Sequence, residues 1–151
     1  MIPTRATKRS VPNVRYDSEY EFDLSHLPLK DEHATCPLWV GDLRRKYYKK
    51  RGKSGVYLKN TEESEEIIDL ILEAFSPSYK RAYDFVITIA EPKSRQEFIH
   101  NYEINPASLN AAITLGISIP EIIEKLHFFA KTIYIPKSVE EYIYRTSSSF
   151  G

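Results

Sequence analysis

The chain has 151 residues, with 21 acidic and 21 basic side chains and a formal net charge of zero. That length is one domain's worth with room for a real core, and the balanced charge favours neither nucleic acid nor an anionic membrane as a global partner. One cysteine, Cys36, excludes an internal disulfide and fits a reducing compartment; the apolar runs are too short to span a membrane, and the N-terminus lacks a signal-peptide core.

Residues 1–15 carry Arg5, Lys8, Arg9 and Arg15 without an acid. They read as a disordered basic arm, either simply solvated or serving as a nuclear-import or phosphate-touching tail. Residues 16–33 mix Asp17, Glu19, Glu21 and Asp23 with Tyr20, Phe22 and Leu24, whose alternation allows a short edge strand. PLWV at 37–40 predicts a strand, with the sole tryptophan, Trp39, buried.

Arg44, Arg45, Lys46, Lys49, Lys50, Arg51 and Lys53 then crowd together around Tyr47 and Tyr48. Cations interleaved with aromatics can neutralise phosphates while stacking on bases, which makes these residues a possible nucleic-acid contact. The alternative is a solvated loop whose charge is offset by Glu62, Glu63, Glu65, Glu66 and Asp69. Gly52-Lys53-Ser54 is not a phosphate loop, because Tyr47 stands where the required glycine would be. Asn60 with Glu63 resembles a capping box and predicts a helical turn or short helix, whereas Ile67, Ile68, Leu70, Ile71 and Leu72 suit a buried strand.

The organising stretch is 72–104. Ser76 and Pro77 open a helix over 76–90, with Tyr79, Ala82, Tyr83, Val86, Ile89 and Ala90 at helical spacing and Phe85 widening the stripe. Only Lys80, Arg81 and Asp84 are charged in it. A helix apolar nearly all round is either deeply buried or covered on its second side by a partner. Pro92 ends the helix, and 95–104 alternates as a strand, with Phe98, His100, Tyr102 and Ile104 on one face.

The remainder reads as three helices. Asn105-Pro106 caps a helix over 107–115 that ends at Gly116. Ser118 with Glu121 caps a second, with Ile122, Ile123, Leu126, Phe129 and Ala130 as its apolar face. Ser138 with Glu141 caps a third, lined by Val139, Tyr142 and Ile143. Ala112, Gly116 and Ile122 match a helix-turn-helix at 106–130, but Glu121 and Glu124 occupy the end that would enter the major groove and would repel phosphate.

Catalytic chemistry finds no foothold. His26, His33, His100 and His127 show no metal spacing with one another or with Cys36, which reads as a buried structural thiol. Ser147 and its neighbours lack a nucleophile-elbow context. The chain is expected to need no cofactor and not to hydrolyse ATP.

EAFSPSYKRAYDFVITIAEPKSRQEFIHNYEI, with LPLKDEHATCPLWV before it and SLNAAITLGISIPEIIEKLHFFAKT after it, resembles the N-terminal domain of the XPB-type helicase/translocase subunit of transcription factor TFIIH. The resemblance implies a nuclear regulatory domain that docks on the clutch domain of a neighbouring TFIIH subunit. It also implies a parent ATP-dependent 3'-5' DNA helicase/translocase serving promoter opening and nucleotide excision repair. The family's docking-associated phenylalanine falls on Phe85, and the apolar stripe adds Tyr79, Tyr83 and Phe98 as candidate partner contacts. The family has threonine where this chain has Asn105. It joins PLWV to LEAF by a short turn, so a basic loop at about 41–66 reads as an insertion, and a strand is expected at about 70–75. The chain stops at Phe150-Gly151, before the helicase lobes that follow in the family, so a fragment is expected.

The expected architecture is α+β: an N-terminal arm over 1–33, then an interaction domain over 34–151. Its small mixed sheet, from the Trp39, Leu72 and Phe98 regions, is packed by the central helix and a C-terminal three-helix segment. The alternative function is a nucleic-acid module using the basic stretch or the helix-turn-helix, with DNA a secondary partner.

Overall fold

The structure is a computed structural model that describes Leu24, residues 26–47 and residues 64–149. The basic arm, most of the proposed edge strand, Lys49, Lys50, Arg51, Lys53 and the Asn60–Glu63 capping box lie outside the described residues.

The fold is built on β2 (Ser64–Glu73). It lies between β1 (Leu38–Tyr47) and β4 (Ile99–Ile104), with β3 (Glu91–Arg95) on the outer side of β4, so the sheet order is β1-β2-β4-β3. A central strand is buried on both faces, which is why β2 carries a nearly unbroken aliphatic run. Ile68, Leu70 and Leu72 enter the main core with Leu38, Val40, Tyr102 and Ile104. Ile71 points the other way, into a smaller cluster with Trp39, Leu24 and Leu27.

Several expectations change here. The helical turn before the β2 strand is absent from 64 onward, where the chain is already extended; β-branched side chains buried on both faces favour the strand. The strand also ends at Glu73, leaving Phe75 in an exposed turn. The loop expected at about 41–66 is strand over 41–47 and 64–66, where Arg45 stands opposite Glu66 and Lys46 opposite Glu65. The α+β class holds, but the ladders between the named strands are all antiparallel rather than mixed; the one parallel pairing among the described residues is the isolated Leu38–Ala130 bridge.

The single strand expected at 95–104 is a hairpin. Pro92 does close the preceding helix, but the chain re-enters the sheet at Glu91 as β3, on an edge where proline's missing N–H leaves no gap. Gln96 N–H donates to the Ile99 carbonyl at 3.1 Å and closes the turn that carries Phe98.

Four α-helices cover one face of the sheet. The central helix α1 (Tyr79–Ile89) begins later than predicted: Ser78 is its N-cap residue, while the Ser76 hydroxyl accepts from the Ser78 N–H in the turn before it. Its buried residues are Ala82, Phe85, Val86 and Ile89. In α2 (Pro106–Thr114), Asn105 closes a capping box: its Oδ1 accepts from Ser108 N–H at 2.8 Å, and Ser108 Oγ accepts from Asn105 N–H at 3.0 Å. Gly116 turns the chain at φ +95°, the left-handed region that favours glycine. The next helix, α3 (Ile119–Phe129), is capped by Ser118 and leaves α2 at 114°. In α4 (Lys137–Ser148) the predicted Ser138 cap is replaced by Pro136, and Ser138 Oγ instead accepts from Leu43 N–H, tying α4 to β1.

The C-terminal end of α3 is held by two lysines. Lys30 Nζ donates to the His127 carbonyl at 2.6 Å and the Phe128 carbonyl at 3.1 Å, filling acceptors that a helix end leaves open. Buried Lys131 pairs with Glu73 at 2.8 Å and donates to the His33 carbonyl at 2.7 Å, while Trp39 Nε1 donates to the other Glu73 oxygen at 2.9 Å. Trp39 and Cys36 are buried, as expected.

Candidate docking groove

The two helices that flank Phe85 leave a channel between them. From α1, Arg81, Asp84, Phe85 and Thr88 share one face at i, i+3, i+4 and i+7. From α3, Glu121, Glu124, Lys125, Phe128 and Phe129 do the same. The groove they line holds about 470 Å³, within the range of ordinary binding clefts. The Phe85 and Phe129 rings stack with centroids 5.9 Å apart and form its floor. Phe128, 56% exposed, stands edge-on to Phe129 as a ridge. On the other side of the ridge a smaller hollow of about 210 Å³ is shared by Cys36, Lys30 and Arg81.

The charged rim is partly self-satisfied. Lys80 pairs with Asp84 at 2.9 Å and Lys125 with Glu121 at 3.3 Å. The Lys125 ammonium also lies 5.8 Å from the Phe85 ring centre, and the Arg81 guanidinium 5.7 Å from that of Phe128.

The four predicted partner contacts do not form one patch. Phe85 is only 7% exposed and belongs to the core, so its role is to floor the groove rather than project from it. Tyr79 and Tyr83 are half-buried with ring centres 5.5 Å apart, and Tyr79 meets His100 edge-on. Phe98 is exposed at the hairpin turn beside Phe75, because the Ala74 N–H donates to the Phe98 carbonyl at 2.7 Å. Sequence reading missed Phe128: periodicity assigned Phe129 to the core, and the signal was the Phe128-Phe129 doublet, which cannot bury both rings on one helix face.

His100 and Tyr102 sit beneath the tyrosines. Burial, helped by the nearby Arg95 charge, holds the His100 imidazole below its ordinary range, and burial pushes the Tyr102 phenol up to about 12. Their polar atoms meet at 3.2 Å.

The basic stretch is used differently. Arg44 pairs with Asp69, Arg45 with Glu66, and Lys46 with Glu103. Glu103, 3% exposed, also takes Lys93 at 3.0 Å and the Asn105 amide at 2.9 Å. Burial would raise its carboxyl, but the hydrogen bonds from Asn105, Lys93 and Lys46 outweigh that and hold it below the usual range. Among the described residues no group of three or more His, Cys, Asp or Glu could hold a metal ion, and no single helix is long and apolar enough to cross a membrane.

A family model described as helicase conserved C-terminal domain matches residues 68–151, more than half of the chain. The chain belongs to the helicase conserved C-terminal domain family. Among the relatives of this member is the general transcription and DNA repair factor IIH helicase/translocase subunit XPB1 of Arabidopsis thaliana, 35% identical over 133 residues, which cover 88% of this chain and 14% of the relative. The corresponding subunit XPB of Drosophila melanogaster is 31% identical, covering 99% of this chain and 16% of its own length. Subunit XPB/SSL2 of Saccharomyces cerevisiae is 33% identical, covering 85% and 12%. The chain thus spans about a seventh of the length of these curated relatives. The likeness to XPB-type TFIIH subunits expected from the sequence holds; the description of the matched family is of a C-terminal type and does not support an N-terminal position.

Proposed function

We propose that this chain is a non-catalytic docking domain of an XPB-type translocase, preceding the motor, that seats on the clutch-bearing subunit of TFIIH in the nucleus. The observation that carries the reading is the α1–α3 groove, with the Phe85–Phe129 stack as its floor and the exposed Phe128 ring as its ridge. Exposed aromatics beside an apolar cleft are the usual anchors of a protein interface. The relatives are named as helicase/translocase subunits of a general transcription and DNA repair factor, and the parent activity proposed here, ATP-driven 3'-5' translocation on DNA in promoter opening and repair, is the one the sequence resemblance implies. The N-terminal position is part of this proposal and comes from the resemblance of the PLWV, LEAF and NYEI segments to the XPB-type N-terminal domain. Protein docking is favoured over nucleic-acid binding because Arg44, Arg45 and Lys46 already face carboxylates of this chain.

The test is co-purification with the clutch-bearing TFIIH subunit. The wild-type chain is expected to capture it, and Phe128→Ser, which changes an exposed ring, to capture it poorly while keeping its circular dichroism spectrum. Phe85→Ser is expected to lose both capture and stability. Failure of the wild-type chain to capture the subunit, or a steeply salt-dependent affinity for duplex DNA lost in Arg44→Ala/Arg45→Ala/Lys46→Ala, would overturn the reading.

A further inference from the structure

The groove carries a charge code once its internal pairs are set aside. Asp84 is satisfied by Lys80 and Glu121 by Lys125. Two rim charges remain without an ion-pair partner among the described residues: Glu124 on α3, and Arg81 on α1, whose guanidinium lies only against the Phe128 ring. Across the furrow Arg81 meets Phe128, while Phe85 meets Lys125 and Phe129. Glu124 and the Arg81-covered Phe128 are four residues apart on α3, a separation of about 6 Å along its axis at the helical rise.

We propose that the groove takes an amphipathic helix of a partner protein, whose apolar anchor rests between Phe85 and Phe128. That helix presents a basic residue to Glu124 and an acidic residue to Arg81, about one turn apart. This rests on the docking reading above and adds to it the chemistry and direction of the docked element. Two helices with an apolar furrow between them offer ridges and grooves to a third helix, and among the described residues no strand contributes to the furrow's lining for an extended peptide to join. The two free charges at different levels of the furrow select one direction of the docked helix over its reverse.

The experiment measures capture of the clutch-bearing TFIIH subunit by the wild-type chain, by Arg81→Glu, by Glu124→Lys and by Lys137→Glu, a reversal at an exposed position outside the groove lining. Arg81 and Glu124 are exposed, so both groove variants should melt with the wild type. Each groove reversal is expected to weaken capture by about tenfold, through like charges brought face to face, with Lys137→Glu near wild type. Capture that is intact in both groove variants would overturn the charge code and leave the docking reading standing. No capture by the wild-type chain would remove both. Sedimentation showing that the chain alone dimerises, and that Arg81→Glu abolishes the dimer, would make the occupant a second copy and overturn the proposed partner.

Discussion

The β1–β2 ladder and the α1–α3 groove hold the residues that stand out most in this sequence, and they treat them oppositely. In the ladder, Arg44, Arg45 and Lys46 find Asp69, Glu66 and Glu103 within the same sheet. In the groove, a large ring stays exposed on the ridge, and Arg81 and Glu124 have no ion-pair partner among the described residues. A dense run of cations is therefore not in itself a binding surface. What marks a surface as unfinished is the mismatch between what its side chains can bond and what the chain supplies.

Truncating the groove floor should have the largest effect. Phe85→Ala removes a buried ring from the core and is expected to cost about 3–5 kcal/mol in chemical denaturation. Phe128→Ala, on the ridge above it, should cost well under half as much, because its ring is 56% exposed. Equal losses at the two positions would mean that the ridge is structural as well, and would erase the contrast.

Within the ladder, Glu103→Ala should destabilise by about 3 kcal/mol, because it leaves two lysines and an amide facing a buried gap. Arg45→Ala should stay within about 0.5 kcal/mol, since that pair is largely in water. Denaturation midpoints for the two variants separate these cases.

The pH dependence follows from the same contrast. His100 is held below its ordinary value of 6.5, so the unfolded state binds its proton first, and stability should fall as pH drops below 6.5. Glu103 is held below 4.5, so its contribution is present above that value and lost as pH falls through its folded range. Thermal melts between pH 7 and 5 should show the first slope, and His100→Gln should flatten it. An unchanged slope in that variant would assign the loss to other groups.

Much of this was legible in the sequence where one physical signal dominated. The 3.6-residue stripe gave the central helix, the Asn105-Pro106 and Ser118 caps gave two of the remaining helices, and Trp39 was expected to be buried. The facing runs of Lys/Arg and Glu suggested that the charges would pair. Illegible parts were those with no period of their own. β3 has four exposed residues out of five and contains Pro92, so nothing in it announces a strand until β4 offers it an edge. The length of β2 was hidden because a strand buried on both faces looks like the start of a helix. For the candidate site, the resemblance pointed to Phe85 as a partner contact and spacing added it only to an apolar stripe; its place in the core beneath the groove was not legible, because spacing locates a face without saying what lies against it. Only the packing of α3 onto α1 reveals that Phe129 covers this ring and Phe128 does not.

Amide hydrogen exchange of the chain with and without the clutch-bearing TFIIH subunit is the most direct check on the docking account. The account predicts slowed exchange over 81–88 and 121–128, with the β1–β2 ladder unchanged. Protection confined to the ladder, or absent from both helices, would contradict it.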